Sequence, residues 1–161
     1  MTVVIGQFLW KIGSGVWLGA IIFFSLVVTP AVFWDLPMGE AGRLLLRMFP
    51  AYYGIGLWGG GIALVGSVLA AWYASGRKHW ILFGQALGAW VLVVYNSRLL
   101  GIMKQLNSDS SRFAHLHGES VMINTVIGIL LLGGFILETW MVAPQSGYNP
   151  WTGNDSSHND K

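Results

Sequence analysis

The chain has no cysteine, which removes disulfides, thiolate metal sites and cysteine nucleophiles from consideration. Charge is nearly as scarce: Asp, Glu, Lys and Arg together make up 10% of the 161 residues. Sequence signatures of catalysis are missing too. There is no Gly-x-Ser-x-Gly elbow, Walker loop, dinucleotide glycine fingerprint or His-Glu-x-x-His motif. Glu119 and Glu138 fall at opposite ends of one apolar stretch, so they do not form an acid–base pair. The pI near 9.1 rests on a net charge of +2, and no segment holds a basic cluster. That balance argues for a topology bias rather than a nucleic-acid footprint. Met1–Trp10 contains no Lys or Arg and no A-x-A site follows, so a secretory signal is not expected.

What remains is apolar. The composition is 54% hydrophobic with a mean hydropathy of +0.58. Uncharged runs cover Ile12–Trp34, Ala51–Gly76, Trp80–Ser97 and Ser120–Leu137. A helix rises about 1.5 Å per residue against a hydrocarbon layer of about 30 Å, so each run is long enough, or nearly so, to cross it. The expected fold is an all-α bundle of four transmembrane helices occupying residues 1–143, followed by a polar tail over 144–161 that contains Tyr148 and Trp151. Trp10 and Trp34 are expected as interfacial anchors of the first span. Between spans one and two, Ala41, Leu44, Leu45 and Met48 line one face, and Glu40, Arg43 and Arg47 another. This segment reads as a short interfacial helix bracketed by Pro37 and Pro50, with its arginines near lipid phosphates. Arg43, Arg47, Arg98, Lys104 and Arg112 outnumber Arg77, Lys78, Lys161 and Lys11 on the other side. Both termini are therefore expected outside, in a bacterial inner membrane.

Glycine indicates how the helices associate. Gly15-x-x-x-Gly19, Gly56-x-x-x-Gly60 and Gly84-x-x-x-Gly88 place small patches on three spans. Such patches let backbones approach where lipid supplies no hydrophobic drive. They serve the monomer first, with docking of a partner helix as the alternative.

The polar residues concentrate at the start of span four. His117, Ser120 and Asn124 share one helix face, and His115 and Glu119 an adjacent one. Asn96 and Arg98 reach the same side of the membrane. Intramembrane polar groups are paired, snorkelling or functional. Joining helix ends through hydrogen bonds is the leading reading of this cluster. A proton or anion path through His117 and Arg98 comes second. Metal ligation by His115, His117 and Glu119 comes last, because His-x-His on a helix points its rings apart. Lys11 and Glu138, at the opposite end, are expected to snorkel separately rather than pair.

Trp17-Leu-Gly-Ala, Phe23-Phe-Ser-Leu-Val-Val-Thr-Pro-Ala-Val-Phe33, Leu36-Pro, Ala41-Gly-Arg43 and Phe49-Pro-Ala-Tyr-Tyr53 form one signature; Arg112-Phe-x-x-Leu-His117-x-x-Ser120-x-x-x-Asn124 forms a second. Together they resemble the transmembrane protein 205-like family. That resemblance implies a four-helix membrane bundle of unknown function and directs attention to Pro30, Arg43, Pro50, Tyr52, Tyr53, His117, Ser120 and Asn124. The family's eukaryotic namesake is associated with platinum-drug resistance, which implies export or vesicle traffic. A remoter similarity is to haem-binding membrane proteins of the copper-resistance-D and protoporphyrinogen-oxidase type. Their axial histidine falls where this chain has Trp10, so no haem or metal cofactor is expected. The leading functional expectation is a non-enzymatic accessory subunit packed against a membrane-protein partner or a second copy. The alternative is a small transporter or ion handler using the His/Arg/Asn cluster, and a haem or metal redox protein stands third. Neither a nucleic-acid partner nor catalysis is expected; membrane lipids are.

Overall fold

A computed structural model describes residues 1–74, 76–106 and 110–142, and every regular element among them is helical. Helix α1 (Thr2–Phe23) passes through a π-helical turn (Phe24–Val28) into α2 (Thr29–Asp35). These three pieces form one rod of 34 residues. The turn widens just before Pro30, which has no N–H to donate to the preceding turn. Thr29 instead donates its N–H to the Phe24 carbonyl, five residues back. The rod ends at Leu36, whose extended backbone is imposed by the Pro37 that follows.

Helix α3 (Met38–Tyr73) then runs for 36 residues. The expected interfacial helix is present as sequence but not as a separate element. Its residues are the first turns of α3, and Pro50 lies inside the helix rather than ending it. Only one backbone donor is lost there, and neighbouring helices hold such a site in shape. Within those turns Ala41 and Leu45 are buried, while Glu40, Arg43 and Arg47 are exposed as the pattern requires. Gly76, at φ 153, turns the chain into α4 (Arg77–Met103), in a backbone region that L side chains rarely adopt. Helix α5 (Ser111–Val142) completes the set. Four helical stretches are long and apolar enough to cross a membrane. The tail with Tyr148 and Trp151 lies outside the described residues.

The helices pack in sequence, α1 on α3, α3 on α4 and α4 on α5, while α1 meets α5 more sparsely. The tightest seam is α1 against α3, and its closest backbone approaches fall at glycines other than the expected ones. A Cβ on Gly13 would stand 2.4 Å from the Gly59 carbonyl, and one on Gly66 would stand 2.5 Å from that of Gly6. Gly6 and Gly13, like Gly59 and Gly66, are seven residues apart, the repeat that keeps one face of a helix on its neighbour. Gly56 and Gly60 are packed as expected, though against an indole: a Cβ on either would lie within 2.8 Å of Trp17. For the other two patches the expectation of packing within the bundle fails. Nothing stands within 4 Å of a Cβ at Gly19, Gly84 or Gly88, and at Gly15 only the ring of Phe135 comes near, at 3.6 Å. Gly19, Gly84 and Gly88 therefore stand where no neighbouring side chain among the described residues meets them.

Trp10 also departs from expectation. It is 3% exposed and packs on Phe135 with ring centroids 5.1 Å apart, so it belongs to the core, whereas Trp34 is 91% exposed. Large apolar side chains such as Phe8, Trp58, Trp72 and Ile129 cover the outside, as a lipid solvent favours.

Candidate functional site

Polar side chains meet at the end of the bundle where α5 begins. Two consecutive tyrosines of α3 reach across to α5. The Tyr52 hydroxyl donates to Asn124 Oδ1 at 2.7 Å, and the Tyr53 hydroxyl shares a hydrogen with Ser120 Oγ at 2.7 Å. From α4, Asn96 is fully buried and donates through Nδ2 to the Ser120 carbonyl at 3.1 Å. Its Oδ1 has no partner among the described residues. Ser120 thus ties three helices together, and each bond exists because a polar group in hydrocarbon must find a mate inside the protein. This is the helix-joining role expected of the cluster, carried by Ser120, Asn124 and Asn96.

The remaining expected members take no part in these bonds. His117 is half-buried, its ring parallel to that of Phe113 at 6.1 Å and beside Phe49 at 6.4 Å. His115 is exposed. Glu119 accepts from the Tyr95 hydroxyl at 2.8 Å on the exposed α4–α5 flank. Arg98 is exposed and is not among the side chains bonded to Ser120 or Asn124. Arg43 Nε donates to the Gly39 carbonyl, and with Arg47 it borders a separate surface groove that also contains Glu40. Among the described residues no three histidine or carboxylate side chains converge as a metal site. Trp10, at the position compared above with an axial histidine, is buried in the core.

Beside the tyrosine pairs lies a cavity of about 270 Å³, between the π-helical turn, α3 and α5. Phe24, Phe49 and Tyr52 form an aromatic wall, with centroids 5.6 Å apart for Phe24–Phe49 and 4.6 Å for Phe24–Tyr52. His117, Ser120 and Asn124 face them, so the three residues that share a face of α5 share this cavity. Among the described residues no Asp, Glu, Lys or Arg lines it. Two larger grooves, of about 440 and 420 Å³, lie on the outer flank of α1 and α3 and are lined by apolar and aromatic residues.

The sequence reading underrated the opposite end. Lys11 Nζ lies 2.9 Å from Glu138 Oε1, so the two form an ion pair and do not snorkel apart. Glu138 is buried, and a carboxylate without its partner there would be costly. Gln7 Nε2 and His79 Nε2 meet at 3.4 Å next to this pair. His79 is 5% exposed although it stands in what reads as a connecting loop. Its burial carries no sequence signal, because a loop histidine normally stays wet.

A family model described as a domain of unknown function, DUF4149, matches residues 12–108. The chain belongs to this family. An uncharacterized protein of Aquifex aeolicus (strain VF5) is 31% identical over 121 residues, covering 74% of this chain and 86% of that relative. No solved structure matches. The matched DUF4149 stretch contains Tyr52, Tyr53 and Asn96 but ends before α5. The aromatic wall of the cavity therefore lies in the family domain, and the His117–Asn124 face lies beyond the match.

Proposed function

We propose that this DUF4149 protein binds a small molecule in the cavity between the π-helical turn, α3 and α5, and acts without catalysis as a carrier or handler of that molecule. One observation carries the reading: the cavity combines an aromatic wall with uncharged hydrogen-bonding side chains inside a membrane-crossing bundle. Ligand sites are typically apolar hollows with a few placed polar groups. The adjoining π-helical turn supports it, since single π turns recur at functional sites. This modifies the transporter reading of the sequence by keeping His117 and Asn124 and dropping Arg98.

A second reading, the accessory subunit, is favoured by α4, where Gly84 and Gly88 meet nothing in the monomer. A small face left open to lipid suits a partner helix. The finer kinship to the transmembrane protein 205-like family rests on the Phe49-Pro-Ala-Tyr-Tyr53 and His117-x-x-Ser120-x-x-x-Asn124 motifs. The proposed location is a bacterial inner membrane with both termini outside, on the Lys and Arg balance.

Native mass spectrometry of affinity-purified protein in mild detergent separates the two readings. The ligand reading expects a monomer or homo-oligomer carrying a small bound mass that is lost in Asn124→Leu. A defined heteromeric mass with an empty cavity would overturn it in favour of the accessory subunit.

A further inference from the structure

Resting on the ligand reading above, we infer that the cavity takes a neutral amphiphile dissolved in the bilayer, with a flat carbonyl-bearing head and an apolar tail, and admits it sideways from the lipid. Three observations converge on this class.

The first is the hydrogen-bonding that the site leaves open. Asn124 Oδ1 already accepts from the Tyr52 hydroxyl, so the larger capacity left on this amide is the two N–H donors of its NH₂. Among the described residues the His117 ring stacks on Phe113 and meets Phe49 at a tilt, and no hydrogen bond engages it. A neutral imidazole offers one further N–H and one acceptor. A head that accepts hydrogen bonds through a carbonyl oxygen meets these groups. The second is charge: among the described residues no Asp, Glu, Lys or Arg lines the cavity, so a charged head would lose hydration and find no counter-ion. The rings of Phe24 and Tyr52, 4.6 Å apart and tilted by 32°, offer a planar head an aromatic surface instead.

The third is position. Asn124 lies about 18 Å along α5 from Arg112, at hydrocarbon depth rather than at the headgroups. The floor is the buried pair Tyr52 and Tyr53, while the rim residues Ser25, Phe33, Val121 and Thr125 are all exposed. They flank the seam where the α1–α2 rod and α5 are most sparsely packed, so the opening faces lipid. A molecule already in the bilayer reaches Asn124 through that seam without crossing the aqueous surface.

The test uses the full chain in nanodiscs and a neutral, carbonyl-headed, apolar-tailed probe, benzophenone bearing a decyl tail, whose carbonyl is both the head and the photoreactive group; the flat head is supplied by the quinone competitor. Its charged counterpart, 4-benzoylbenzoate, serves as comparison. Adducts are mapped by mass spectrometry. Decyl-benzophenone is expected to label residues 24–33 and 117–125 saturably, to be competed by a decyl-tailed benzoquinone, and to lose at least tenfold of that labelling in Thr125→Trp, a substitution at the exposed rim. Labelling spread over outward residues such as Val91 and Ile129, equal in wild type and Thr125→Trp, overturns the inference. Cavity labelling by 4-benzoylbenzoate alone overturns the neutral, lipid-borne class yet leaves a ligand site standing. If neither probe labels the cavity and native mass spectrometry finds no bound mass, both readings fall.

Discussion

Gly13 and Gly84 are the same residue type on spans of similar composition, and only their surroundings separate them. At Gly13 a methyl group would collide with the Gly59 carbonyl and the backbone of Ala63, neither of which can swing aside. Gly13→Ala is expected to lower stability by about 1–3 kcal/mol, the usual range for overpacking, or more if the α1–α3 seam opens. Gly84→Ala, with open space around it, should stay within about 0.5 kcal/mol of wild type. Thermal unfolding of the two variants in one detergent checks both. Equal losses would mean that α4 has a partner in the purified protein. Sequence identified glycine as the packing residue and chose packed copies at Gly56 and Gly60, but open ones at Gly19, Gly84 and Gly88. A four-residue spacing is conspicuous in text, whereas Gly6–Gly13 and Gly59–Gly66 acquire meaning only when the two helices lie side by side.

Among elements, the long rods matter most. Expecting Pro50 to end a helix applied a rule for soluble proteins, where a freed carbonyl can turn to water. In a bilayer, breaking the helix would expose several backbone groups, so running through the proline costs less. The ion pair at the far end follows the same logic across elements, linking the start of α1 to the end of α5. Lys11→Met should destabilise the bundle, because it strands the buried Glu138 carboxylate. The cost falls below the about 3–5 kcal/mol of a fully enclosed pair, since Lys11 keeps access to solvent. The double variant Lys11→Met, Glu138→Gln should recover most of that loss. Unfolding midpoints of the wild type, the single variant and the double variant decide it, and additive losses would mean that the pair carries no coupling.

For the whole molecule, the open questions are orientation and company. The absence of cysteine makes orientation directly measurable. Thr2→Cys is expected to react with a membrane-impermeant maleimide in intact cells, and Gly39→Cys only after permeabilisation. Both positions are exposed and, at Gly39, nothing stands within 4 Å of an added Cβ. The opposite pattern would invert the topology inferred from the Lys and Arg balance and place the cavity at the outer face.

The number of spans, the all-helical fold and the shared face of His117, Ser120 and Asn124 were determined by the sequence itself. Each depends on residues close together along one helix, where a missing charge or a 3.6-residue period is enough. The cavity was decided only in three dimensions. Tyr52 and Asn124 are 72 positions apart, and no local pattern pairs them. The π-helical turn, the glycine seam of α1 and α3, and the burial of Glu138 against Lys11 likewise depend on how one helix is rotated and displaced against another. That choice is made by shape, by backbone clearance and by the cost of an unpartnered polar group in hydrocarbon. None of these belongs to a single segment.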